Sequence, residues 1–156
     1  MEKVNNVQSY SDSGVIVNFL LENSQNLSIE ILLYGNKGFR LRTTNKGNDF
    51  FAVRGSVKLN DPEEIYGFGE MWNGQVGQRG QKIEIWDKTG TPDECAYMPY
   101  YVSTNNYALF LNYGGLVTYD VGKDNPEVLT FQYDYNNLDM FLVTGKDIKD
   151  VVNAFF

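Results

Sequence analysis

Three acids, Asp87, Asp93 and Glu94, lie close together in a run rich in Thr, Gly and Pro. Two carboxyls held ~5–9.5 Å apart on opposite sides of one bond can divide the work of acid and nucleophile, or of acid and base. A polar loop with three acids meets that spacing easily by chance. Solvation of the loop, or a supporting contact to a bound ligand or a neighbouring domain, therefore stands beside the catalytic reading, and no catalytic pair is assigned to this chain. The chain contains no histidine. That removes every mechanism resting on imidazole as base, acid or metal ligand, and no metal or cofactor is expected. Two tryptophans flank the same region. Trp72 sits in the Gly-rich run MWNGQVGQRG, and Trp86 ends the alternating run QKIEIW. Flat rings with one polar edge suit stacking on a ligand as well as packing. Trp72 is the better candidate for stacking, whereas core or inter-sheet packing is the expected role of Trp86, which ends an alternating strand.

The surrounding elements must hold this loop. QKIEIW (81–86) places Ile83 and Ile85 on one face and Glu84 and Trp86 on the other, as a strand does. YMPYYVS (97–103) is extended, with Pro99 marking an edge or a bulge. IYGFGE (65–70) is a strand whose glycines allow a bend or the close approach of another backbone; Gly67-x-Gly69 lacks the third glycine and the helix of a dinucleotide fingerprint. SIEILLYG and FRLRTT, joined by Gly35-Asn36-Lys37-Gly38, predict a hairpin. With GVIVNFLLE, FFAVRGSVKL, YALFLNY, GLVTYDVG, EVLTFQYDY and DMFLVTG the count reaches about eleven strands, too many for one open sheet, so two packed antiparallel sheets are expected. Residues 1–14 are polar and carry no apolar run. Only 146–156 looks helical, with Ile148, Val151, Val152 and Phe155 on one face and Asp147 and Asp150 at its positive end. Arg79 is expected to pair with a neighbouring carboxylate.

At 156 residues the chain suits a single domain, 1–156, large enough for its own core. Lys and Arg number 13 against 20 Asp and Glu, a net charge of −7. That balance disfavours a phosphate backbone or a polybasic membrane contact, so neither nucleic acid nor membrane is expected as a partner. The single cysteine, Cys95, permits no internal disulfide and has no basic neighbour to activate it. With no signal-like segment, a reducing, cytoplasmic setting is expected.

The ordered motifs resemble the N-terminal β-sandwich domain of family 31 glycoside hydrolases, the α-glucosidase and α-xylosidase group. Tyr66-Gly67-Phe68-Gly69-Glu70 is similar to the family's YGxGE strand, and Arg79-Gly80 stands at its RG or NG pair. Trp86-Asp87-Lys88-Thr89-Gly90 resembles WNxDG, and Ala96 to Ser103 resembles AYxxIPFYxS. Tyr107 to Leu111 and Asp139 to Gly145 resemble its YGxFxx and LDYYFIxG strands. The resemblance implies a galactose-mutarotase-like all-β sandwich with a short C-terminal helix. It implies that Trp86, Asp87, Thr89, Asp93 and Glu94 belong to a loop at the substrate entrance, with Trp72 near it. Thr89 stands where the family commonly carries Asp. The family's catalytic aspartates lie on a following (β/α)8 barrel, so 146–156 becomes the helix leading to a barrel that this chain lacks. The implied partners are that barrel and an α-linked oligosaccharide. A carbohydrate-binding module standing alone, and a domain that self-associates through the surface a barrel would cover, are the competing readings.

Overall fold

The computed structural model describes residues 3–9, 13–20, 26–45, 52–70, 74–86 and 96–155. Two antiparallel sheets face each other. The long one holds eight strands in the order β1 (Lys3–Ser9), β2 (Gly14–Leu20), β3 (Asn26–Tyr34), β4 (Gly38–Asn45), β12 (Asp139–Thr144), β9 (Tyr107–Leu111), β8 (Tyr97–Ser103) and β6 (Ile65–Gly69). The short one holds β5 (Val53–Lys58), β11 (Val128–Tyr133), β10 (Val117–Val121) and β7 (Lys82–Ile85). One helix, α1 (Ile148–Phe155), follows.

The expected sandwich is present, with twelve strands where pattern counting gives about eleven. The additional one is β1, which the sequence presents as a polar segment. Its ladder with β2 shifts register between Val4 and Asn6, so Val4 pairs with Phe19 while Val7 pairs with Val17. That irregularity breaks the period of two by which strands are recognised.

Alternation decides the core. On the short sheet Ile83, Ile85, Val117, Tyr119, Val121, Leu129, Phe131 and Tyr133 all point inward and are buried. They meet Ile65, Phe68, Tyr101, Leu109 and Leu111 from β6, β8 and β9. Each such side chain contributes about 1.5–3 kcal/mol by leaving water. Phe68, Tyr101 and Tyr119 form an aromatic centre, with the Phe68 and Tyr119 rings 4.8 Å apart. The hydroxyls of Tyr101 and Tyr119 are buried there with no hydrogen-bond partner among the described residues.

The helix lies on the other face of the long sheet, where Val151 is buried with Tyr100, Val102, Ala108 and Val143. Phe155 packs 4.8 Å from Tyr100 and 5.4 Å from Phe110, centroid to centroid. Its start is capped in both directions. Asp147 accepts from the Asp150 amide at 2.7 Å, and Asp150 accepts from the Lys146 amide at 3.1 Å. Asp147 is thus the N-cap, while Asp150 reaches back one residue beyond it and not to the Asp147 amide that a capping box would use. Asp150 also takes the Lys37 ammonium at 2.5 Å, which ties the helix to the β3–β4 turn. Ile148 stays 39 % exposed, so the apolar face is buried only from Val151 onward.

The end of the sandwich opposite the acidic loop is closed by a buried polar knot. Glu63, 2 % exposed, accepts from Ser103 Oγ at 2.5 Å, from Asn105 Nδ2 at 2.8 Å and from the Asn60 amide at 2.8 Å. Three donors offset much of the cost of burying that carboxylate. Arg79 departs from expectation here. Its guanidinium donates to the carbonyls of Asn60, Glu63 and Pro126 rather than to a carboxylate. A carboxylate does engage the residue, but through its main chain: the Arg79 amide donates to Glu64 Oε1 at 2.9 Å. Planar forks suit convergent carbonyls as well as carboxylates, and a loop that folds back supplies carbonyls the sequence does not display.

Candidate functional site

The strands that bracket the acidic loop end on one side of the sandwich. β7 delivers the chain outward at Trp86, and β8 takes it back at Tyr97. The loop therefore crosses from the short sheet to the long one. The segment carrying Trp72 leaves from the same place: Gly69 pairs with Tyr97, and the Glu70 amide donates to the Ala96 carbonyl at 3.1 Å. Both loop bases are thus fixed side by side. Of the sequence-derived site residues, Trp72, Asp87, Thr89, Asp93 and Glu94 lie outside the described residues. Trp86 is described and is 45 % exposed, which corrects the expectation of core packing: it follows β7 on the face opposite Ile83 and Ile85, and that face points to solvent.

Glycine shapes the base of this site. The β6–β8 ladder shifts register between Gly67 and Gly69. Gly67 has φ of 130°, and a Cβ there would stand 2.6 Å from the Tyr100 carbonyl oxygen. Close backbone approach, expected from the Gly-x-Gly pattern, is what this strand uses. Phe68 between them adopts φ of 67°, an uncommon conformation for a bulky residue. Full burial of its ring against Tyr101 and Tyr119 stabilises that conformation. On β8 the extra residues oppose Phe68 and include Pro99, which lies beyond the rungs joining β8 to β9. The missing amide hydrogen of Pro99 therefore breaks no rung with β9.

The same end displays aromatic surface that the sequence reading did not single out. Tyr113 lies between Tyr133 and Tyr135, with centroids 4.6 Å and 5.5 Å away and interplanar angles of 26° and 30°. Tyr113 donates to the Asp134 carbonyl, and Tyr133 donates to the Asn137 carbonyl. Tyr135 caps the stack and is 49 % exposed. Tyr133 and Tyr135 are two apart on one strand pattern. That signal is visible in the sequence, but it indicates stacking only once Tyr113 is known to come between them.

Electrostatics at this end centre on Asp139. Arg40 Nε and Nη2 donate to its two oxygens at 2.7 and 2.6 Å, and Asn112 Nδ2 adds a third bond at 2.9 Å. Partial burial acts to raise the carboxyl pKa. The Arg40 and Asn112 bonds, with the Arg40 and Arg42 charges, outweigh it and hold the group below the usual carboxylate range. The residue is consumed in a structural pair and is not poised as a proton donor.

No family model matches the chain. An α-xylosidase of Emericella nidulans is 31 % identical over 102 residues, covering 64 % of this chain and 13 % of that enzyme. Among solved structures, the cycloalternan-forming enzyme of Listeria monocytogenes superposes with a TM-score of 0.82 at 14 % identity, over 99 % of this chain and 22 % of its own. A family 31 sulfoquinovosidase from E. rectale gives 0.69 at 17 % identity, over 92 % of this chain and 24 % of its own. The chain spans about an eighth of the curated relative that it matches. Ordered motifs, a sequence match and a shared fold converge on one likeness: the chain is similar to the β-sandwich domain of family 31 glycoside hydrolases.

Proposed function

We propose that this chain serves as the non-catalytic β-sandwich of a retaining α-glycoside hydrolase or transglycosidase acting on α-xylosides or α-glucosides. It packs on the catalytic barrel of the same polypeptide and lends the 87–98 loop, whose last two residues belong to β8, to the substrate entrance. The observation that carries the reading is the 31 % identity to an α-xylosidase in which the matched part is 13 % of the enzyme. In such an enzyme two carboxyls on the barrel run double displacement through a glycosyl-enzyme intermediate. This domain works by position: it anchors the two loop bases through the Gly69–Tyr97 pair and the Glu70–Ala96 bond. Packing on a larger body is supported by the half-buried apolar side chains along β2, β3 and β4, with Leu33 62 % exposed.

The test is turnover. The purified 156-residue chain is expected to release no nitrophenol from aryl α-xylosides or α-glucosides. Sustained release that survives repurification and is abolished by Asp87→Asn or Asp93→Asn would overturn the proposal, because it would put the reacting carboxyls in this chain.

A further inference from the structure

The outer face of the short sheet carries a concave trough of about 930 Å3. Register aligns its side chains into two rows across four strands. Glu84, Thr118, Gln132 and Arg54 are direct neighbours in the first row. Lys82, Asp120, Thr130 and Ser56 form the second. A polar outer face is ordinary for an antiparallel sheet, so polarity alone assigns nothing. The use made of the charged groups does.

Elsewhere the protein employs its arginine forks. Arg40 holds Asp139 with two bonds, Arg42 holds Glu30, and Arg79 holds three carbonyls. Arg54 is the one arginine of the four with no partner among the described residues. The same holds for the side chains of Glu84 and Ser56, at the edges of the rows. Glu84 and Arg54 stand at opposite ends of one row, about 14 Å apart at ~4.8 Å per strand step, too far to satisfy each other. Between them lie a hydroxyl and a carboxamide, groups that both give and accept hydrogen bonds. In the second row Lys82 is held by Asp124 at 2.6 Å, with Asp120 at 3.6 Å.

We infer that this trough is a second binding site, separate from the loop end, for a neutral oligosaccharide laid across the strands. The rows contain two acids, Glu84 and Asp120, and two bases, Arg54 and Lys82, so neither a polyanion nor a polycation is favoured. An apolar partner would have to desolvate every group in both rows without replacing its hydrogen bonds. Vicinal hydroxyls replace them: a guanidinium and a carboxylate each offer two parallel bonds, and a sugar hydroxyl both gives and accepts. On the loop side the same face continues to Leu116, 38 % exposed, giving the apolar face of a pyranose a surface to cover. The family reading above is used only to choose which glycans to try.

The experiment is amide NMR titration of the 156-residue chain with maltotriose, isomaltotriose and an α-xylosylated oligosaccharide. The expected result is shifts at Arg54, Thr118 and Gln132 with a Kd of about 1 mM for at least one glycan. Arg54→Ala and Gln132→Ala should each weaken binding about tenfold while leaving the melting temperature unchanged. Shifts confined to the loop bases at Glu70 and Ala96 and indifferent to Arg54→Ala, or no shifts with any of the three glycans, would overturn the trough. Neither of those results bears on the turnover test, so the two readings fail separately.

Discussion

The long sheet is one continuous ladder whose two halves have different fates. From Leu111 the inner face runs through Met140, Leu41 and Ile31 to Val15, each directly opposite the last. From Leu109 it runs through Leu142 and Phe39 to Leu33. Both rows are apolar throughout. Yet Leu109 and Leu111 are 1 % and 0 % exposed under the short sheet, whereas no described side chain of β2, β3 or β4 is fully buried. The same alternation therefore yields a finished core on one side and a half-covered surface on the other. Hydrophobic patterning shows which face seeks cover, and a contiguous apolar patch left open marks a place where something else is meant to sit.

Truncation should separate the halves most sharply. Leu109→Ala, under full cover, is expected to cost about 2–5 kcal/mol in urea melts. Ile31→Ala in the half-covered region should cost about 1 kcal/mol or less, since its side chain has less burial to lose. Equal losses would mean that the two halves are equally packed and would break the comparison. Leu33→Ser should leave the melt within about 0.5 kcal/mol but reduce any self-association of the isolated chain seen by light scattering. Unchanged association would show that the uncovered half is not the sticky surface.

The seam between the halves is the β4–β12 ladder, clamped by Arg40 and Asp139. A carboxyl whose folded pKa lies below its ordinary 3.8 contributes stability that is fully present above that value. The contribution is lost as pH falls through the lower, folded value. Asp139→Asn should thus cost about 1 kcal/mol or less at neutral pH and flatten the acid limb of the stability profile below pH 4. An unaltered acid limb would remove the clamp from the seam. The smallest effect is expected in the short sheet that covers the finished half. Tyr119→Phe deletes a buried hydroxyl that has no partner among the described residues, so stability should hold or rise by up to about 1 kcal/mol. A loss above that would show the hydroxyl to be engaged.

Much of this architecture is legible in the chain. Alternation located β4 and β7, short apolar runs bounded by turns located β3, β10 and β11, Gly35 to Gly38 located the hairpin turn, and Asp147 with Asp150 located the helix start. β1 escaped because its ladder is bulged. The partners of Arg79 escaped because carbonyls carry no sequence identity. The Tyr113–Tyr133–Tyr135 stack escaped because its middle ring comes from a distant segment, just past the end of β9. Of the entrance residues, Trp86 is exposed where core packing was expected, because which face of a strand is covered depends on the opposing sheet, and the bases of both loops fall at one end of the sandwich.

By itself the sequence determined where strands run, which side of each is apolar and where the helix begins. Those properties are written in neighbours a few residues apart, through backbone sterics and side-chain period. Only the tertiary structure decided which half of the long sheet the short one covers, and which polar groups align into rows with Arg54 left unpaired. Those outcomes depend on register between strands distant in the chain, where a slip of one residue reverses every side chain.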